Sequence, residues 1–157
     1  MRHAKSSWAD LSLNDSDRPL NARGHRDAPY MAKKMRGIIQ SVDLMICSPA
    51  RRAQETCTYF ADEIKSEKTI TVDKIYHASV DTLLDVILEI EPSVQSAMIF
   101  GHNPGFTGVY DHFAKEYIDN IPTCGIFQVK VDGEWADADT TNSSIGHLLY
   151  PKMFINR

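Results

Sequence analysis

The chain has 157 residues, of which 43% are hydrophobic and 24% charged. That composition fits one folded domain over 1–157, with enough apolar residues to build a core without a disulfide or metal staple. A net charge of −4 excludes the basic surface that non-specific nucleic-acid binding requires, and no apolar run is long enough to span a bilayer.

The elements are predicted in chain order as follows. Residues 9–21 are dominated by turn formers and read as an exposed loop. Asn21 is placed to cap a helix whose apolar face carries Met31, Met35, Ile38 and Ile39, with Pro29 an awkward residue inside it. The run DLMICS at 43–48 is expected as a buried strand. Ala50, Ala53, Cys57, Phe60 and Ile64 step by three and four, which predicts a helix directly after it. A strand is expected over 69–76. Leu83, Leu84, Ile87 and Ile90 mark a third helix, stopped by Pro92. SAMIFG at 96–101 is another short apolar strand. Phe106, Val109, Tyr110 and Phe113 form a fourth helical stripe. GIFQVKV at 125–131, Asp132-Gly133 and Trp135 read as a strand, a turn and a return.

This alternation predicts an α/β domain, with helices on both faces of a mostly parallel sheet. The three cysteines, Cys47, Cys57 and Cys124, form no CxxC pair and read as buried thiols of a reduced, cytoplasmic protein. No charged start followed by an apolar core marks a signal peptide.

Ligands of such sheets bind beyond the carboxyl ends of the strands. That rule selects Ser48–Arg52 and Gly101–Gly105, and also MRHAKSSW if a strand leads into it. Together these places supply Arg2, His3, Arg51, Arg52 and His102 around a helix N-terminus. Guanidinium forks match phosphate oxygens, and the helix end adds free N–H groups. A neutral histidine in such a pocket can attack phosphorus and hold the phosphoryl group covalently, while the cations stabilise its oxygens. Arginine then supplies the charge that a metal supplies elsewhere. No HExxH or HxH pattern suggests a metal site, and no GxxxxGK[ST] suggests a nucleotide loop.

In this order, RHAKSSW, RPL, SPARRAQET and GHNPGF resemble the histidine phosphatase superfamily (phosphoglycerate mutase-like). Within it they resemble the short phosphohistidine phosphatases of the SixA type. The resemblance runs from Arg2 to about Lys152. It implies a single-domain three-layer α/β/α sandwich with a mostly parallel central sheet. It also implies that His3 is the phosphorylated nucleophile, that Arg2 and Arg52 hold phosphate oxygens, and that His102 donates to the phosphoryl group. Arg51 is the exposed neighbour of Arg52. Arg18, Ser6 and Asn103 are the candidate substrate-binding residues. Larger relatives carry an acidic proton donor on an insertion that this chain is too short to hold, and mutases often carry an asparagine where Ala9 stands. His77, after the third strand, is the candidate proton donor.

The activity implied is metal-independent and cofactor-free removal of phosphoryl groups from phosphohistidine in a protein partner. The alternatives are a phosphatase of small phosphate esters or anhydrides and a non-catalytic phosphate- or phosphoprotein-binding module. Nucleic acid and membrane are not expected partners. In similar proteins a buried apolar strand runs into the Arg-His pair, whereas here only Met1 precedes it. The first central strand is therefore expected to be missing or truncated and the natural product to begin upstream. Without that strand, His3 is expected to be poorly held.

Overall fold

Ser41–Cys47 form β1, an almost unbroken apolar run that reads as a strand covered on both faces. The computed structural model, which describes residues 1–155, builds the molecule around it. In chain order, α1 (Ala22–Arg36) leads into β1. Then come α2 (Arg51–Ala61), β2 (Lys65–Thr71), α3 (Val80–Leu88), β3 (Ala97–Phe100), α4 (Gly105–Ala114), β4 (Val129–Val131) and β5 (Ser143–Ile145). The sheet is parallel, in the order β2-β1-β3, with Met45 paired to Thr69 on one side and to Met98 on the other.

Side chains alternate across β1 because a strand has a period of two. Met45 and Cys47 face a core shared with Met31 and Met35 of α1 and with Cys57 and Phe60 of α2. Leu44 and Ile46 face a second core with Leu83 and Val86 of α3 and with Phe106, Val109 and Phe113 of α4. The result is the expected three-layer α/β/α sandwich. All three cysteines are buried and free. Among the described residues, no helix is long and apolar enough to cross a membrane.

Asn21 caps α1 as predicted, its side chain accepting the Gly24 N–H at 2.9 Å. The helix runs through Pro29 and stops at Arg36, so Ile38 leaves the apolar face and is 65% exposed. The strand expected over 69–76 lies earlier, at Lys65–Thr71, and Asp73–Ile75 form a 3₁₀ turn. This is an edge strand with an exposed, lysine-bearing face, so it lacks the apolar pattern that reveals β1. Trp135 lies in a 3₁₀ turn and not in a return strand. Its indole N–H donates to the Val94 carbonyl, and the strand antiparallel to β4 is β5, eight residues on.

The first central strand is present as three residues. Met1–His3 lie extended between β3 and the 124–125 segment. The His3 N–H donates to Gly101 O, the Gly101 N–H to Met1 O, the Arg2 N–H to Gly125 O, and the Cys124 N–H to His3 O. An apolar cavity of about 350 Å³, walled by Met1, Ala97, Ile99, Ile126 and Phe127, lies beside this short strand. The expectation that so short a strand leaves His3 poorly held is not met. Its backbone is hydrogen-bonded on both sides, to Gly101 and to Cys124.

Candidate active site

Three chain segments end at the same edge of the sheet: Met1–His3, the β1–α2 turn, and the β3–α4 turn. The first delivers His3, which is buried. Its Nδ1 lies 2.7 Å from the carbonyl oxygen of Ala4. A carbonyl only accepts, so Nδ1 carries the proton and Nε2 presents a lone pair. The Nε–H of Arg52 donates to that lone pair at 3.3 Å. Burial lowers the His3 pKa to about 4; the Ala4 hydrogen bond opposes the shift, and the charges of Arg52, Arg2 and Arg18 reinforce it. At neutral pH the imidazole is uncharged.

The turn after β1 places Arg52 in the first helical turn of α2, 4% exposed. Arg51, beside it, turns outward and pairs with Glu55 at 2.8 Å, the solvated neighbour that the sequence implied. One turn further along, buried Thr56 links the helix to the nucleophile's segment. Its Oγ1 accepts the Ala4 N–H at 3.0 Å and donates to the Arg52 carbonyl at 2.7 Å.

The turn after β3 delivers His102, whose ring centroid is 5.1 Å from that of His3. Its Nε2 is 2.7 Å from Ser48 Oγ, and its Nδ1 is 3.5 Å from Arg52 Nη2. The Ser48 hydroxyl can donate or accept, so either nitrogen of His102 can carry the proton. Burial lowers the His102 pKa to about 3, with the neighbouring His3, Arg52 and His77 acting in the same direction.

Arg2 is anchored on the 120–121 segment. Its Nη1 donates to Asn120 Oδ1 at 2.9 Å and to the Ile121 carbonyl at 2.6 Å. Asn103 Nδ2 donates to the same two oxygens. Among the described residues, Arg2 Nε and Asn103 Oδ1 are buried polar atoms without a partner. Buried donors rarely stay unpaired, so the Arg2 Nε–H is a donor in want of an acceptor.

Arg18 is also buried. It donates to the Ser7 carbonyl at 2.9 Å, to Ser6 Oγ at 2.8 Å and to Asp15 Oδ1 at 2.7 Å, and its guanidinium lies 3.2 Å from the Trp8 ring centre. The Ser6 hydroxyl therefore supports Arg18. His77 stands at the mouth, exposed, at a left-handed φ of 51° that non-glycine residues seldom adopt. Its ring stacks 5.8 Å from His102.

The sequence reading singled out neither Asp15 nor Tyr76. The Asp15 carboxylate accepts from Arg52 Nη2 at 2.8 Å and from the Tyr76 hydroxyl at 2.8 Å, and its Oδ2 lies 3.2 Å from His77 Nε2. Partial burial alone would raise its pKa. The hydrogen bonds from Tyr76, Arg52 and Arg18 outweigh that and hold the carboxyl far below the usual carboxylate range. The signal available was the spacing of Asp15 three residues before Arg18, hidden within a loop of ordinary turn formers.

A family model described as "Histidine phosphatase superfamily (branch 1)" matches residues 1–75. An uncharacterized protein of Mycobacterium tuberculosis is 30% identical over 149 residues, covering 88% of this chain and 92% of that protein. The chain belongs to the histidine phosphatase superfamily. Among solved structures, it is similar to the SixA protein of Agrobacterium tumefaciens, with a TM-score of 0.80 and 25% identity over 96% of this chain and 94% of that one. A protein histidine phosphatase SixA solved with tungstate shares the fold, with a TM-score of 0.83 and 19% identity over 99% and 97% of the two chains. By membership and fold this histidine phosphatase is a SixA-like hydrolase of the phosphatase type.

Proposed function

We propose that the chain is a metal-independent phosphatase that forms a covalent phosphohistidine on His3 and acts on phosphohistidine in a protein partner. The observation that carries this reading is the state of His3. It is neutral, its tautomer is set by the Ala4 carbonyl, and its unprotonated Nε2 accepts only a long bond from the Arg52 Nε–H, which gives way when the lone pair meets phosphorus.

In the first step, the His3 Nε2 lone pair attacks phosphorus and the bond to the leaving nitrogen breaks. The leaving imidazole keeps that electron pair and takes up a proton. In the second step, water attacks phosphorus, releases inorganic phosphate and returns Nε2 to its starting state. Arg52, the unpartnered Nε of Arg2 and a proton on His102 hold the equatorial oxygens as charge redistributes. Arg18 lines the same rim through its contacts with Ser6 and Asp15, and Asn103 positions Arg2 through the shared oxygens of Asn120 and Ile121. His77, exposed at the mouth, hands the proton to the leaving group.

The charge state of Asp15 favours a nitrogen leaving group. The carboxyl nearest the pocket is firmly ionised and has no proton to give to an alkoxide, whereas imidazole leaves with less help. The likeness to a protein histidine phosphatase SixA points to the same substrate class, and the tungstate bound by that protein is a tetrahedral oxyanion of phosphate shape.

The test is turnover of a phosphohistidine carrier protein beside sugar phosphates and nucleotides, with and without EDTA. The carrier is expected to be the best substrate, EDTA to have no effect, and His3→Ala to be inactive. Full activity of His3→Ala would refute the mechanism. A preference for an ester would shift the substrate to a small molecule. Phosphate binding without any turnover would leave only a binding module.

A further inference from the structure

Arg52 already commits three of its five N–H groups within the protein. Its Nε–H is on His3, one Nη1 hydrogen is on the Asp15 backbone carbonyl, and one Nη2 hydrogen is on the Asp15 carboxylate. Arg18 likewise commits three of its five, to Ser7, Ser6 and the other oxygen of that carboxylate. Two buried guanidiniums, a tyrosine hydroxyl and a histidine ring thus converge on the two oxygens of one anionic side chain. An oxyanion arriving at phosphorus distance from His3 needs some of these same donors. It also meets a negative charge already among them, and like charges at a shared site repel strongly.

We infer that Asp15 is a resident carboxylate occupant of the phosphoryl pocket, one that a substrate must displace and that thereby selects for dianionic phosphoryl groups over weaker anions. The inference rests on the proposed phosphoryl-binding role of the pocket. The loop that carries Asp15 suits it to withdraw. Residues 9–14 are exposed, with Leu11 83% accessible, and the short 3₁₀ turn at Asp15–Asp17 contributes no buried residue. Segments with so little buried surface open at low cost. A carboxylate carries one charge and two oxygens, whereas a phosphoryl dianion carries two charges and three oxygens. The dianion therefore gains more from two guanidiniums and wins the exchange. Carboxylates, nitrate and other monoanions have no such advantage and are excluded.

Displacement has a measurable cost. If the carboxylate closes the pocket about nine-tenths of the time, the apparent Kd for phosphate is raised about tenfold. Calorimetric titration of inorganic phosphate into the wild-type chain, Asp15→Asn and Asp15→Ala reads this directly. Asp15→Ala is expected to bind phosphate about tenfold more tightly than wild type, with Asp15→Asn between them because it keeps the shape but not the charge. Acetate is expected to gain measurable affinity only in the variants. A wild-type crystal soaked in tungstate reads the same exchange without a mutation: the oxyanion should sit on Arg52 and Arg18 with the Asp15 carboxylate moved off both. If wild type binds phosphate and Asp15→Ala binds it no better or more weakly, or if tungstate binds with Asp15 still on Arg52, Asp15 is a positioning residue for the arginines. The inference then falls while the phosphoryl-site reading stands. If no form binds phosphate or tungstate, both fall.

Discussion

Thr56→Val removes one oxygen and nothing else of consequence, since valine has the same shape. Thr56 is fully buried, and its hydroxyl is the acceptor for the N–H of Ala4, itself fully buried. The Arg52 carbonyl, which accepts from the same hydroxyl, retains its helical partner in α2 and loses only a second bond. The cost is therefore dominated by one stranded donor, worth about 1–3 kcal/mol. For a chain of this length each kcal/mol lowers Tm by roughly 2–4 °C, so the expected loss is roughly 2–12 °C. Activity should fall further than stability, because Ala4 both neighbours His3 and supplies the carbonyl that fixes its tautomer. A displacement of about 1 Å at a reacting group can cost about a hundredfold. Thr56→Ser keeps the hydroxyl and should retain turnover, though it loses about 1 kcal/mol with its methyl. Urea unfolding and steady-state turnover of the two variants read both effects. A Thr56→Val protein as stable and as active as wild type would refute the view that this hydroxyl anchors the nucleophile.

Stability should decline as pH falls. His3 and His102 have folded pKa values near 4 and 3 against 6.5 unfolded, so below pH 6.5 the unfolded chain takes up protons that the native state refuses. Stability is full above pH 6.5 and is lost down to about pH 3, with His3 alone accounting for roughly 3 kcal/mol by about pH 4; His102→Asn should flatten the profile measured by urea unfolding, and an unchanged slope would contradict the assignment. Gly24→Ala would place a methyl carbon 2.3 Å from the backbone oxygen of Lys5, which cannot yield as a side chain can. Forcing the 3–6 segment aside should cost about 1–3 kcal/mol in thermal unfolding and reduce turnover as well, whereas an unaffected variant would show that α1 does not brace His3.

The parts of the fold that were legible in the sequence are those whose apolar pattern is dictated by burial. β1 between two layers, α2 with Ala53, Cys57 and Phe60 on one face, and α4 with its aromatic stripe fall where the residues placed them. β2 was misplaced because an edge strand need not be apolar, and the partner of β4 was misplaced because Ser143–Ile145 carries too little pattern in three residues. At the site, the Arg51-Arg52 pair and His102 were legible because each follows a strand end, whereas His3, with only Met1 and Arg2 before it, and the choice of Arg52 over Arg51 rested on the family resemblance. Asp15 and Tyr76 come from a loop and a turn, where their convergence on the arginines depends on tertiary packing that no local pattern encodes. Ser6 has a readable position but an unexpected use, in supporting Arg18.

The central claim concerns Nε2 of His3, and rapid quenching tests it most directly. After milliseconds with a phosphohistidine carrier, mass spectrometry of the quenched chain should find one phosphoryl group, stable in base and labile in acid, on the peptide that contains His3. Turnover with no phosphorylated enzyme at any time, or with the group on His102 or another residue, would contradict it.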